Sequence, residues 1–103
     1  MIIFDKAAWH IDAGMNESDV VKKFKSVFDW LDCHTLLSEE GLEILDFGID
    51  SSISLNEKMV TKKGFRFLGE YYDQVIDYDC REILNQLDKR YRLFLANKEK
   101  WFL

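Results

Sequence analysis

The sequence has no lysine or arginine between residues 26 and 57, and this gap is its most informative absence. The same segment contains eight carboxylates, so it carries a formal charge of −8, whereas the whole chain carries −5. These acids are Asp29, Asp32, Glu39, Glu40, Glu43, Asp46, Asp50 and Glu57. A surface of one sign and this size repels nucleic acid and anionic lipid and attracts a basic protein.

Other features are scarce as well. Proline is absent and glycine occurs only five times, which argues against a turn-rich sandwich or barrel and favours long helices. No apolar run approaches the roughly 20 residues of a membrane span. The first residues lack the basic start, apolar stretch and cleavage site of a secretory signal. We therefore expect a cytoplasmic protein in which its two cysteines, Cys33 and Cys80, are reduced thiols.

The residues that are present predict a folded, helical chain. A hydrophobic fraction of 48% with fifteen aromatic side chains is incompatible with disorder, and 103 residues correspond to a single domain spanning 1–103. Apolar periodicity predicts a mainly α-helical, compact bundle of about five helices. The clearest helix is expected to start near Asn16 to Ser18, with Ser18 as a good N-cap, and to stop near Cys33 or His34. Others are expected to begin at the N-caps Ser38 and Thr61, the latter running to about Asp77, and the last helix to begin at Asp77 or Asp79.

Two segments fit more than one structure. Residues 1–15 fit a short helix after Asp5 or an edge strand at Ile2 to Phe4. Residues 42–60 fit either helices or a short β-hairpin that includes Ile53 and Leu55. The first of these helices would end near Gly48, with Leu42, Ile44, Leu45 and Phe47 on its apolar side. A hairpin there, running into a helix at Thr61, would resemble a winged-helix domain.

Side chains with catalytic or metal-binding chemistry are present but not suitably spaced. His10, Asp12, Asp32, Cys33 and His34 are metal-ligand types, yet the last three are consecutive and point in three directions on a helix. Activation of a thiol nucleophile needs an electropositive setting, and Cys33 lies in an acidic segment. We expect no metal, no cofactor and no enzymatic activity.

The acidic segment is the best candidate for a binding surface. Its acids are interleaved with large apolar residues, and an apolar centre with a charged rim is typical of protein interfaces. The expected partner-binding residues are Asp29, Trp30, Asp32, Glu39, Glu40, Glu43 and Asp46, with Trp30 as the apolar anchor.

The stretch SLNEKMVTKKGFRFL, residues 54–68, is similar to small bacterial sequences of the immunity-protein type. Small size, localised acidity, aromatic richness and the lack of a catalytic grouping also resemble the immunity proteins of toxin–immunity systems, including contact-dependent growth inhibition. The resemblance implies that the protein neutralises a basic toxin domain, such as a nuclease, by occluding its cleft. From the localised acidity we expect no contact with nucleic acid or membrane.

Two alternatives stay open from the sequence. The first is a winged-helix regulator that binds DNA, although its recognition helix would fall near residues 38–47, which hold four acids and no base. The second is a small interaction subunit that forms a homodimer through the apolar residues Trp101 to Leu103.

Overall fold

The structure is a computed structural model that describes the backbone of residues 1–100 and the side chains of residues 1–97. Its elements, in chain order, are β1 (Ile3–Lys6), α1 (Ala7–Asp12), α2 (Glu17–Cys33), α3 (Glu39–Phe47), β2 (Ser54–Asn56), α4 (Lys62–Tyr71) and α5 (Ile83–Lys100). Single-turn 3₁₀ helices follow β2 at Glu57–Met59 and α4 at Tyr72–Gln74. The homodimer contact that the second alternative places at Trp101 to Leu103 lies outside the described residues.

The predicted fold class is confirmed, because the described chain is a compact bundle of five α-helices with one short antiparallel pair of strands. The pair is not local, however. Only β2 lies between residues 42 and 60, and it pairs with β1 in the register Ile3 to Asn56 and Lys6 to Ser54. The two N-terminal alternatives both occur, since the strand β1 runs directly into the helix α1.

Local capping explains where three helices begin. The side chains of Ser38 and Thr61 accept hydrogen bonds from the backbone of Gly41 and Gly64, as their positions predict. Helix α2 starts within the predicted range, but its N-cap is Asn16, which accepts from the backbone of Ser18, and not Ser18 itself. Helix α4 is also shorter than expected, since it ends at Tyr71 and not near residue 77.

The core forms around α2, which crosses the centre of the bundle. Its fully buried side chains include Phe24, Phe28 and Leu31, and these belong to one cluster of buried residues with members from α1, β2, α4 and α5. The other large, fully buried side chains include Leu36, Leu55, Phe67, Leu68, Ile83 and Leu87. No helix within residues 1–100 has the length and hydrophobicity that crossing a membrane requires.

A short bridge anchors α3 on the bundle. Leu37 and Val60 form an isolated antiparallel bridge, and the backbone N–H of Ser38 donates to the carbonyl of Met59 at 2.9 Å. A Cβ at Gly41 would lie 2.2 Å from that carbonyl oxygen, so only glycine allows this approach. The first turn of α3 is therefore held against the segment that precedes α4.

Candidate functional site

Helix α3 carries the largest group of predicted partner-binding residues. Its inner side is formed by the buried Gly41 and the half-buried Ile44 and Leu45. Glu39, Glu43 and Asp46 therefore share the opposite side, because their spacing of four and three residues repeats the helical turn. We call these three residues the acidic stripe.

Glu40 is also exposed, at one flank of the acidic stripe. None of the four acids of α3 forms an ion pair with a lysine or arginine in the described part of the chain. The close contacts between a carboxylate and a basic group found there join the N-terminus to Glu57, His10 to Asp5 and His34 to Asp88. The charge of α3 is therefore left facing solvent.

The remaining predicted acids lie on a different helix. Asp29 and Asp32 are both exposed and are three residues apart, so they share the solvent side of α2 near its C-terminal end. Helix α3 packs against α2. The predicted acids therefore lie on two helices, with the acidic stripe and Glu40 on α3 and the pair Asp29 and Asp32 on α2.

The prediction that Trp30 is an exposed anchor is wrong. Its side chain is only 7% exposed and packs among the rings of Phe67 and Tyr91. The indole Nε1 donates a hydrogen bond of 2.8 Å to Oδ1 of Asp88, so its polar atom is also satisfied inside the protein. The position follows from the period of α2, which turns Trp30 towards α5 beside the buried Val27 and Leu31.

Two apolar residues of α3 take the place expected for Trp30. Phe47 is 96% exposed and Leu42 is 40% exposed, and they flank the acidic stripe. The sequence assigned both to an apolar inner side together with Ile44 and Leu45. That assignment is wrong because a helix of nine residues that buries Gly41 at its contact with Met59 turns Leu42 and Phe47 outward.

The last two acids of the segment serve local structure. Oδ1 of Asp50 accepts hydrogen bonds from the hydroxyl and the backbone N–H of Ser52, and these bonds lower the pKa of Asp50. Glu57 accepts from the backbone N–H of Ile2 at 2.7 Å, which ties the N-terminus to the turn after β2. Both carboxylates are therefore partly occupied within the chain.

A buried polar cluster, which the sequence did not predict, lies beneath the sheet. The carboxylate of Asp5 accepts from the hydroxyl of Tyr72 at 2.8 Å and lies 2.8 Å from Nε2 of His10. Lys23 is also buried and donates through Nζ to the carbonyl of Ile76. The residues come from β1, α1, α2 and the turn after α4, so no local motif could have revealed the cluster.

Burial governs the ionisation of this cluster. Desolvation raises the pKa of Asp5, although the hydrogen bond from Tyr72 and the charges of His10 and Lys23 oppose the rise. Desolvation likewise lowers the pKa of Lys23, which the charge of Asp5 opposes. The pKa of Tyr72 is raised well above its ordinary value by burial and by Asp5, so its hydroxyl stays a donor. The cluster joins four parts of the fold and is closed to solvent.

The sequence-derived candidates for a metal site are not brought together. His10 is bound to Asp5, and His34 packs on Trp30 with ring centres 4.2 Å apart. Among the described residues, no group of three or more histidine, cysteine or acidic side chains is arranged to hold a metal ion. Cys33 and Cys80 are free thiols, and Cys33 is exposed at the end of α2.

Comparison with known proteins finds no family model, no curated protein and no solved structure that matches this chain.

Proposed function

We propose that the protein is a cytoplasmic immunity protein, which binds a basic toxin domain of the nuclease class and neutralises it through α3. It acts by occupying the toxin, without enzymatic activity and without contact with nucleic acid or membrane. The observation that carries the proposal is the acidic stripe, since it faces solvent with no lysine or arginine of the described chain paired to it.

The chemistry of a nuclease explains why such a stripe would inhibit one. An enzyme that cleaves nucleic acid needs a cleft with cationic side chains for phosphate groups. The rise of 1.5 Å per residue places Glu39 and Asp46 about 10 Å apart along the axis of α3. Three carboxylates along this length present a row of negative charge, which competes with a phosphate backbone for the same cations.

Apolar groups beside the charges support a stable complex rather than a transient encounter. Exposed ion pairs alone contribute about 0–1 kcal/mol each. Phe47 and Leu42 add exposed apolar area next to the acidic stripe, and interfaces derive most of their affinity from a few such anchors.

The test is affinity capture from the native cells with the full chain, followed by mass spectrometry and an assay of the captured protein. We expect one basic protein with nuclease activity, which the added chain inhibits. The triple variant Glu39→Lys, Glu43→Lys, Asp46→Lys should lose both capture and inhibition, because it reverses the acidic stripe.

A matched control changes the net charge equally at other exposed sites. Asp12→Lys, Glu70→Lys, Asp73→Lys also replaces three exposed acids, none of them on α3, and should retain capture and inhibition. Equal losses in the two triple variants would mean that total charge, and not the stripe, determines binding. The proposal fails in that case, and it also fails if the wild-type chain captures no basic protein.

A further inference from the structure

A groove with a volume of about 500 Å³ lies between α3 and the segment that contains the strand β2. Gly48 ends α3 with a φ of +111°, and the chain then turns back along the helix to reach β2. The apolar residues that line the groove are Ile44, Phe47, Ile53 and Met59. The charged residues that line it are two acids, Glu43 and Asp50. No lysine or arginine lines it among the described residues.

Phe47 forms an exposed part of the groove. A phenylalanine that is 96% exposed leaves almost its whole ring in water, while Ile44 and Met59 beside it are half-buried. Large exposed aromatic side chains next to a depression are typical of the anchors that dominate protein interfaces. The ring therefore adds a contact surface at the edge of the depression.

The charge of the groove determines which side chain suits it. Glu43 has no side-chain hydrogen bond or ion pair in the described part of the chain, so its carboxylate is free to accept a donor. Asp50 keeps its negative charge because its hydrogen bonds with Ser52 lower its pKa, but one of its oxygens is already used. A cation that enters the groove thus meets two carboxylates, of which Glu43 is the available ligand.

We propose that this groove receives an arginine side chain from the partner protein. The guanidinium group would donate to Glu43, stack on the ring of Phe47 and lay its aliphatic part against Ile44 and Met59. Arginine fits better than lysine, because its planar head can bind a carboxylate through two hydrogen bonds and stack on an aromatic ring at the same time. This inference rests on the proposed function and assigns the anchoring contact within it.

The first test uses a defined probe. Amide chemical shifts of the full chain are followed by NMR during titration with N-acetyl-arginine amide, and with the neutral isostere N-acetyl-citrulline amide as control. We expect saturable shifts at residues 43–48 and 53–56 for the arginine probe, with a dissociation constant on the order of 1 mM for a ligand of this size. Citrulline should give none.

Variants locate the contact. Glu43→Gln removes the charge but keeps the size, and Phe47→Ser removes the exposed ring, so each should weaken arginine binding by about fivefold or more. The matched control is Leu93→Ser, which removes an exposed apolar side chain from α5 and should change nothing. Arginine shifts that spread over all acidic surfaces, that are absent, or that persist in both groove variants would overturn the inference.

A second measurement separates this inference from the proposed function. Dissociation of the captured basic protein is compared for the wild type, Phe47→Ser and Leu93→Ser by surface plasmon resonance. A faster off-rate for Phe47→Ser alone supports the groove as the anchor. Unchanged off-rates would refute the groove but leave the acidic stripe as the binding surface. Failure to capture any basic protein would refute the function itself.

Discussion

Thr35 has a backbone conformation that its side chain disfavours. It follows the C-terminal end of α2 with a φ of +58°, the left-handed region that β-branched residues rarely adopt. The hydrogen bonds from Thr35 N–H to Asp32 and from Leu36 N–H to Leu31 form the paired closure that commonly ends a helix at glycine. The turn towards α3 requires this conformation, and the residue at this position is a threonine rather than a glycine.

Replacing Thr35 with glycine should stabilise the protein by about 1 kcal/mol, because glycine adopts a positive φ without steric penalty. Urea unfolding measures the change. Thr35→Ala is the matched control, since it removes the branched side chain but keeps the Cβ, and it should recover much less. Equal stabilisation by the two variants would show that branching, and not the backbone conformation, is unfavourable at this position.

Asp5 should make stability depend on pH in a direction opposite to that of an exposed, paired carboxylate. Burial raises its pKa in the folded state. Its contribution to the free energy of unfolding is therefore fully present below the unfolded pKa of about 4 and is lost as the pH rises through the raised folded value. The stability of the wild type relative to Asp5→Asn should consequently increase as the pH falls from 7 towards 4.

Urea unfolding of the two proteins at several pH values gives this difference directly. Tyr72→Phe is an informative companion, because it removes a hydrogen bond that lowers the pKa of Asp5. In that background the rise should begin at a higher pH. A difference between wild type and Asp5→Asn that stays constant or shrinks towards acid would contradict the assignment of burial as the dominant cause.

Single residues were predictable where their role is local. Ser38 and Thr61 cap helices through atoms three residues away, so a short sequence window contains both partners. The bond from Tyr72 to Asp5 spans 67 positions, and only the folded chain brings these groups together. Trp30 shows the same limit, because its burial depends on where α5 packs.

At the level of elements, we expect the substitution of glycine by alanine to have opposite effects on stability at two positions within helices. A Cβ at Gly41 in α3 would lie 2.2 Å from the carbonyl oxygen of Met59, whereas a Cβ at Gly69 in α4 would meet no atom within 4 Å. Gly41→Ala should therefore destabilise the protein by about 1–3 kcal/mol through overpacking against backbone. Gly69→Ala should stabilise it by about 0.5–1 kcal/mol, since it restricts the unfolded chain.

Thermal and urea unfolding of both variants tests this pair, and each variant serves as the control for the other. Gly41 allows α3 to pack closely against Met59, so its replacement should also shift the amide NMR signals of residues 37–47. Gly69→Ala should leave these signals unchanged. Similar stability changes at both positions would mean that α3 is not held closely against Met59.

The sequence predicts the presence of the helices better than it predicts which side of each helix is buried. The pattern of α2 is long and regular, and its end near Cys33 or His34 was predicted correctly. Helix α3 has only nine residues, so its apolar residues fit two orientations, and the contact at Gly41 selects the one that exposes Phe47. The pairing of β1 with β2 joins segments about 50 residues apart, which no local pattern specifies.

Over the whole molecule, the negative charge is concentrated in one segment of the chain. Residues 26–57 contain eight acids and no lysine or arginine, yet the fold uses two of these acids for local hydrogen bonds and places four on α3. The field that a partner meets at a distance comes from all of these charges. The contact itself depends on the fewer groups that face outward around α3.

Because the long-range field and the direct contact depend on different sets of groups, salt should affect the association rate and the contact differently. Charges that steer an encounter act over the Debye length, which is about 8 Å at physiological ionic strength, so the association rate of the wild type should fall as salt is added. The variant Glu39→Lys, Glu43→Lys, Asp46→Lys should associate at least about tenfold more slowly at low salt, with a flatter or reversed salt dependence. Phe47→Ser should keep the wild-type salt dependence, because it changes no charge. Stopped-flow measurements give the association rates of the wild type, the triple variant and Phe47→Ser at several salt concentrations. If the triple variant has the salt dependence of the wild type, α3 does not face the partner during the encounter.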